Sequence, residues 1–163
     1  MTDSTRPLQD SDMINTTLCY IEKDGKYLMI HRVKKQNDMN KDKWIGIGGK
    51  FEPGESPFDC VRREVSEETG LTITPIYKGV ITFVSNEFGT EYLHLFKAVE
   101  FSGILKVDCD EGVLEWLDKD ILPTLDIWEG DKIFLELLDK DVPFFSLKLC
   151  YEYDKLISHT LEY

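Results

Sequence analysis

The sequence predicts an α/β fold in which a mixed β-sheet carries helices on its faces. Three observations point to it. β-rich runs flank a central stretch of helical periodicity, a second helical stretch lies near the carboxyl end between further strands, and an Asp-Gly pair joins the first two runs. At 163 residues and 42% hydrophobic, the chain supports one sizeable core and is short for two.

The polar residues up to about Met13 have little to bury, so 1–13 is expected to be a flexible tail and 14–163 a single domain. NTTLCYIEKDGKYLMIHR, Asn15 to Arg32, reads as strand, turn, strand, with Asp24-Gly25 as the hairpin signal. The polar insert Lys34 to Lys43 reads as a surface loop, and a short strand around Trp44 to Ile47 leads into a glycine turn, Gly46 to Gly49. A helix follows. Ser56 can cap it, Pro57 suits its first position, and Gly70 can supply a left-handed exit. Phe58, Val61 and Val65, spaced by three and four, give it an apolar stripe.

Beyond Leu71 the pattern returns to strands: LTITPIYKGVITFV, a loop from Ser85 to Glu91, YLHLFKAVEF, then GVLEWL. An irregular segment runs to Trp128, and GDKIFLELLDK reads as a helix with Ile133, Phe134, Leu137 and Leu138 inward. PFFSLKLCYEY and LISHTLEY close the chain as a strand pair around Asp154-Lys155. Trp44 and Trp116 read as core, and His31, His94 and His159 show no metal-ligand spacing.

Net charge is −12, which excludes a grip on polymeric nucleic acid or an anionic membrane by bulk electrostatics. Cys19, Cys60, Cys109 and Cys150 form no CxxC pair and read as reduced thiols. The amino-terminal residues carry no apolar leader core, and no run reaches the ~20 apolar residues of a membrane span. A soluble, cytoplasmic protein is expected, with a small-molecule partner and no obligate protein partner evident.

The chemistry concentrates in GKFEPGESPFDCVRREVSEETGL, Gly49 to Leu71. On a helix, Glu64, Glu67 and Glu68 fall within about 100° of arc, where like charges repel. A divalent cation would repay the repulsion. Hard carboxylate oxygens suit Mg²⁺, with Mn²⁺ as the other candidate, and the side-chain-free glycines would let backbone approach the cation and phosphate oxygens. A solvated acidic face paired with Arg62 and Arg63 is the alternative reading of the same charges.

The spacing separates the two. The segment fits Gly-x5-Glu-x7-Arg-Glu-aliphatic-x-Glu-Glu-x-Gly-aliphatic through Gly49, Glu55, Arg63, Glu64, Val65, Glu67, Glu68, Gly70 and Leu71, without departure. This resembles the signature box of the Nudix hydrolases, here 49–71. A chance match is on the order of 10⁻⁹ per starting position at ordinary residue frequencies. The resemblance implies a Nudix-type α/β/α sandwich that binds divalent metal and hydrolyses nucleoside diphosphates linked to another group. It implies metal ligation by Glu64, Glu67 and Glu68 with the Gly48 carbonyl, orientation of the glutamates by Arg63, and a supporting role for Glu55. Two candidates for the base remain open, Glu64 and the loop residue Glu111, which would also reach the metal.

The resemblance extends past the box. KWIGIGGKFEPGE, YKGVITF, EGVLEW, the WEGD segment and the carboxyl-terminal PFFSLKLCYEYDKLISHTLEY look like the MutT-type bacterial members that convert 8-oxo-dGTP to the monophosphate and pyrophosphate. What this implies is nucleotide-pool sanitation as a contribution to DNA repair, with substrate contacts from Arg32, Gly49, Lys50, Trp128 and Asp131. Trp128 would lie against the purine and Asp131 would hydrogen-bond its edge. Trp128 and Asp131 match the aromatic and second acidic residue of the mammalian sanitising member, from which there are two departures: Ile45 replaces an asparagine after the tryptophan, and Gly130-Asp131 replaces two adjacent acids. Two of its base-reading groups are therefore absent, and its preference for an oxidised guanine does not transfer. Hydrolysis of another nucleoside diphosphate derivative, such as a general nucleoside triphosphate, ADP-ribose or a dinucleotide, is the alternative; a non-catalytic sensor fits poorly with an intact box.

Overall fold

The computed structural model describes residues 13–163. The expectation of a flexible tail therefore lies outside the described residues, except at Met13, which begins the first strand. β1 (Met13–Lys23) and β2 (Lys26–His31) form the expected hairpin, with Lys23 paired to Lys26. Asp24 and Gly25 both take positive φ, 52° and 75°, the combination that lets a two-residue turn follow the strand twist.

The main sheet runs β12-β11-β6-β7-β1-β2-β10-β9, where β6 is Ile76–Ser85, β7 Gly89–Ala98, β9 Asp108–Cys109, β10 Gly112–Asp118, β11 Phe145–Glu152 and β12 Lys155–Glu162. It is mixed: β1 pairs parallel with β7 and β11 with β6, while the remaining pairs are antiparallel. β3 (Trp44–Ile45) joins β2 and β4 (Ile47–Lys50) joins β1; β5 (Leu71–Ile73) and β8 (Phe101–Gly103) form a separate two-stranded sheet.

Strand periodicity sorts the buried residues onto two faces. Leu18, Tyr20, Tyr27 and Met29 point to one, where Phe134, Leu135 and Leu138 of helix α2 (Glu129–Asp139) pack. Their neighbours Cys19, Ile21, Leu28 and Ile30 point to the other, against Val61 and Val65 of helix α1 (Pro57–Thr69). This is the helix–sheet–helix layering expected. Full burial of side chains such as Val61 and Val65 contributes about 1.5–3 kcal/mol each, which fixes α1 on the sheet.

The ends of α1 are as the sequence predicts. Ser56 Oγ accepts from the Asp59 amide at 3.1 Å while Asp59 Oδ2 accepts from the Ser56 amide at 3.0 Å, and Gly70 exits at φ 79°.

Several elements differ from expectation. Gly48 and Gly49 are no turn: they lie in β4, opposite Leu18 and Thr17 of β1. A tight sequence of glycines signals a turn locally, but here it admits close strand approach, since a Cβ on Gly48 would fall 1.8 Å from the Thr17 carbonyl oxygen. The loop between β6 and β7 is shorter than predicted, so Ser85 and Glu91 are strand residues. The segment before Trp128 contains a 3₁₀ helix, Lys119–Thr124. In α2, Leu135 joins Phe134 and Leu138 inside, whereas Ile133 and Leu137 are only partly buried. Trp44 and Trp116 are likewise partly buried and pack against the two cores. The four cysteines are free thiols. Among the described residues, no helix is long and apolar enough to cross a membrane.

Candidate active site

A cleft of about 750 Å³ opens where β1, β4 and α1 meet the loop after β2. Gly48, Gly49 and Lys50 line it from β4, Arg32 from the residue just after β2, and Arg63 and Glu64 from α1. Glu111, Trp128 and Asp131 also line it, so nine of the sequence-predicted residues share one cavity. Glu67 and Glu68 do not line it themselves; they stand one turn along α1 from Glu64.

Arg63 organises the acidic end. Its Nε and one terminal nitrogen grip Glu55 at 2.6 and 2.9 Å. The other terminal nitrogen donates to Glu64 at 2.8 Å and Glu67 at 3.2 Å, and the fork also reaches the Lys50 carbonyl at 3.0 Å. Bidentate contact with Arg63 holds the Glu55 carboxyl down at about 2. A Cβ on Gly49 would meet the Glu64 carboxyl carbon at 2.6 Å, so the box glycine leaves the space that this carboxylate fills.

The next turn brings Glu68 against Glu111, which Arg32 and Lys35 approach at 3.6 and 3.9 Å. Glu68 is 8% exposed, and its Oε2 has no hydrogen-bond partner; Glu111 Oε2 is in the same condition. Burial first, then the facing Glu111 and nearby Glu64, push the Glu68 carboxyl far above the usual range. Burial likewise raises Glu64 against the opposing pull of Arg63. Arg32 stands 3.6 Å from Glu111 Oε2, outside hydrogen-bond range, because its Nε is committed to Asp38 at 2.7 Å. Buried carboxylates without donors fit a hard divalent cation. Among the described residues no three acidic, histidine or cysteine side chains are already drawn into a ligand set, as Arg63 holds Glu64 and Glu67 toward itself and Glu67 is 60% exposed. A cation would compete with Arg63 for these oxygens.

The other end is aromatic. Trp128 caps α2, 7% exposed, edge-on to Phe83 and Tyr151 at 5.9 and 5.3 Å, with its indole nitrogen donating to Asn40 Oδ1 at 2.8 Å. It is both core and cavity wall. Asp131, in the first turn of α2, is buried; burial and the carboxyl of Glu91 push it up to about 8, with Lys43 opposing.

Sequence reasoning misses four contributors. The polar insert reads as a bystander loop, yet Asp38 binds Arg32, Asn40 fixes Trp128, and Met39 packs on the core. Its polarity conceals that role. Glu91 reads as the edge of a loop but lines the cavity from β7, on the face shared by Leu93 and Leu95. The alternation E-Y-L-H-L offers the signal: an acid at a core-facing position.

Residues 13–138 match the NUDIX domain family. The oxidized purine nucleoside triphosphate hydrolase of Danio rerio is 29% identical over 148 residues, 90% of this chain and 92% of that protein. An uncharacterized Nudix hydrolase of Bacillus subtilis, YvcI, is 33% identical over 129 residues, 76% of this chain and 78% of its own length. Among solved structures, the mutator MutT protein from Bacillus halodurans matches with a TM-score of 0.81 at 29% identity, covering 91% of this chain and 97% of that one.

Proposed function

The chain belongs to the Nudix hydrolase family, and from that premise we propose that it hydrolyses purine nucleoside triphosphates, oxidised ones such as 8-oxo-dGTP included, to the monophosphate and pyrophosphate. One observation carries the reading: a single cleft has the carboxyls of Glu64 and Glu111 at one end, with buried Glu68 one turn along α1, and a tryptophan with a buried acid at the other. A triphosphate with its counter-ion suits the first and a purine the second. The relative from Danio rerio, named for that reaction, supports the substrate class.

Glu64, Glu67, Glu68 and Glu111, with the Gly48 carbonyl, would hold Mg²⁺ or Mn²⁺. Such a cation, when bound, neutralises phosphate charge and makes water more acidic. The remaining work belongs to the chain. Arg63, clamped by Glu55, sets the rotamers of Glu64 and Glu67. Arg32 and Lys50 offer positive charge to the phosphate oxygens, and Arg32 exchanges Asp38 for substrate as it does so. Glu64 or Glu111 accepts the proton of the attacking water as the new P–O bond forms and the bond to pyrophosphate breaks. Trp128, with Lys43 4.9 Å over its ring, would stand against the base from the cleft wall.

The test is product analysis over a panel of 8-oxo-dGTP, dGTP, the other triphosphates, ADP-ribose and a diadenosine polyphosphate, with and without Mg²⁺. Pyrophosphate released from purine triphosphates in a Mg²⁺-dependent manner is expected. Activity confined to ADP-ribose or the dinucleotide would overturn the substrate, and turnover unchanged in Glu67→Gln would overturn the mechanism.

A further inference from the structure

Glu91 is an anomaly of the sheet. It sits on β7 between β1 and β6, opposite Phe83, and shares its face with Leu93 and Leu95, which pack into the core beneath α2. A carboxyl at such a position costs stability unless something repays it. Thr16 Oγ1 donates to Glu91 Oε2 at 2.5 Å, but the described residues offer no hydrogen bond to Oε1 and no ion pair to either oxygen. Lys50 acts on it only at longer range, and burial raises the carboxyl above its usual value.

Asp131 faces the same compartment, close enough that Glu91 is the main charge acting on it. Phe83, Leu93 and Trp128 make the surrounding walls apolar. Two acids in a slot walled by an indole, with Lys43 over its ring at 4.9 Å and Lys50 acting only at longer range, leave acceptor capacity for a flat ligand that brings its own N–H donors. The two acids come from different elements, β7 and α2, which is why sequence adjacency does not reveal the pair: residue 130 is glycine, and the second carboxyl arrives across the sheet.

We propose that Glu91 is a specificity-determining residue that, held by Thr16, accepts hydrogen bonds from adjacent N–H donors on the ring edge of a 2-amino-6-oxopurine, opposite Asp131. The assignment rests on the nucleotide reading above and narrows it to guanine-type bases. One carboxylate oxygen is fixed by Thr16, which orients the other toward the slot. A ring N–H and an exocyclic amino group side by side match a carboxylate, whereas a 6-oxopurine lacking the amino group leaves part of that acceptor unpaired.

The experiment compares wild type, Glu91→Gln and Glu91→Leu on dGTP, dITP and dCTP turnover with Mg²⁺, and on dGMP and dIMP binding by calorimetry without turnover. dITP and dIMP lack only the 2-amino group. Wild type is expected to favour the guanine compound over the hypoxanthine one by about tenfold. Both variants are expected to reduce that ratio toward one through KM, with a smaller change in KM for dCTP than for dGTP. Glu91→Leu should also melt above wild type, because an apolar group then faces the core, and this shows that lost selectivity is not lost folding. An undiminished guanine preference in both variants, or an equal loss on guanine and hypoxanthine compounds, overturns the role of Glu91. If no triphosphate is hydrolysed yet dGMP selectivity depends on Glu91, the parent reaction falls and the recognition stands. Triphosphate hydrolysis with selectivity indifferent to Glu91 leaves the reaction standing and removes the recognition.

Discussion

A methyl group at Gly49 would stand 2.6 Å from the Glu64 carboxyl, and nothing else in its surroundings is as close. The tip of a glutamate can swing away at little energetic cost, so Gly49→Ala should leave folding stability within about 1 kcal/mol of wild type. Catalysis is less forgiving: displacement by an ångström costs about 100-fold in rate. Steady-state kinetics beside a urea melt would separate the two effects, and a large stability loss would mean the glycine serves strand packing instead. Asp131 gives a pH-dependent counterpart. Burial and Glu91 raise it from 3.8 to about 8, so at neutral pH it keeps its proton and can donate to an acceptor on the base. The sign follows. Below 3.8 its contribution to stability is full, and it is lost as pH rises through about 8, where the buried group ionises. The ratio of purine to pyrimidine kcat/KM should fall over the same upper limb. Asp131→Asn, a donor that does not titrate, should flatten that ratio; an unchanged pH profile in this variant would show that some other group titrates.

At the level of elements, α1 holds its acidic face in place through its own ends. Removing the Ser56 cap by Ser56→Ala should cost about 1 kcal/mol in chemical denaturation. Gly70→Ala should cost more than the cap, because residue 70 has φ 79° and its new Cβ would meet the Ile104 carbonyl oxygen at 2.8 Å. An equal or smaller loss would mean that the helix exit relaxes. The clamp on that helix is testable separately: Arg63→Lys keeps charge but loses the fork that spans Glu55 and Glu64, and should cost about 10- to 100-fold in activity. These features are legible in the sequence because caps, exits and i,i+4 faces are local. Asp24-Gly25 is legible for the same reason. Gly48-Gly49 misleads because its partner strand, Thr16 to Cys19, lies some thirty residues earlier, and local chemistry alone favours a turn. Glu91 and Asn40 escape sequence reasoning because their roles exist only once β7, the loop after β2 and the start of α2 converge.

For the whole molecule, charge is the governing quantity. The chain carries −12 overall, and Glu64, Glu67 and Glu68 crowd successive turns of α1 with Glu111 facing Glu68. Self-repulsion of this kind lowers the stability of the compact state. A cation that binds only the folded form adds RT ln(1 + [L]/Kd), about 2.7 kcal/mol at one hundred times Kd. For a chain of this size each kcal/mol moves the midpoint by about 2–4 °C, so saturating Mg²⁺ should raise Tm by roughly 5–10 °C. Bulk screening would also raise it, and the two causes separate cleanly. Screening follows ionic strength and is matched by KCl, whereas site binding follows the ion and disappears in Glu67→Gln and Glu68→Gln. Glu68→Gln carries a second consequence: burial beside Glu111 already favours the neutral carboxyl, so the isosteric amide should leave stability in the absence of divalent ions within about 1 kcal/mol of wild type even as it removes the Mg²⁺ increment. A Tm that responds equally to Mg²⁺ and KCl at matched ionic strength, or an increment that survives both variants, would mean that the acidic face of α1 is solvated charge and that the hydrolytic reading of the cleft has lost its cation.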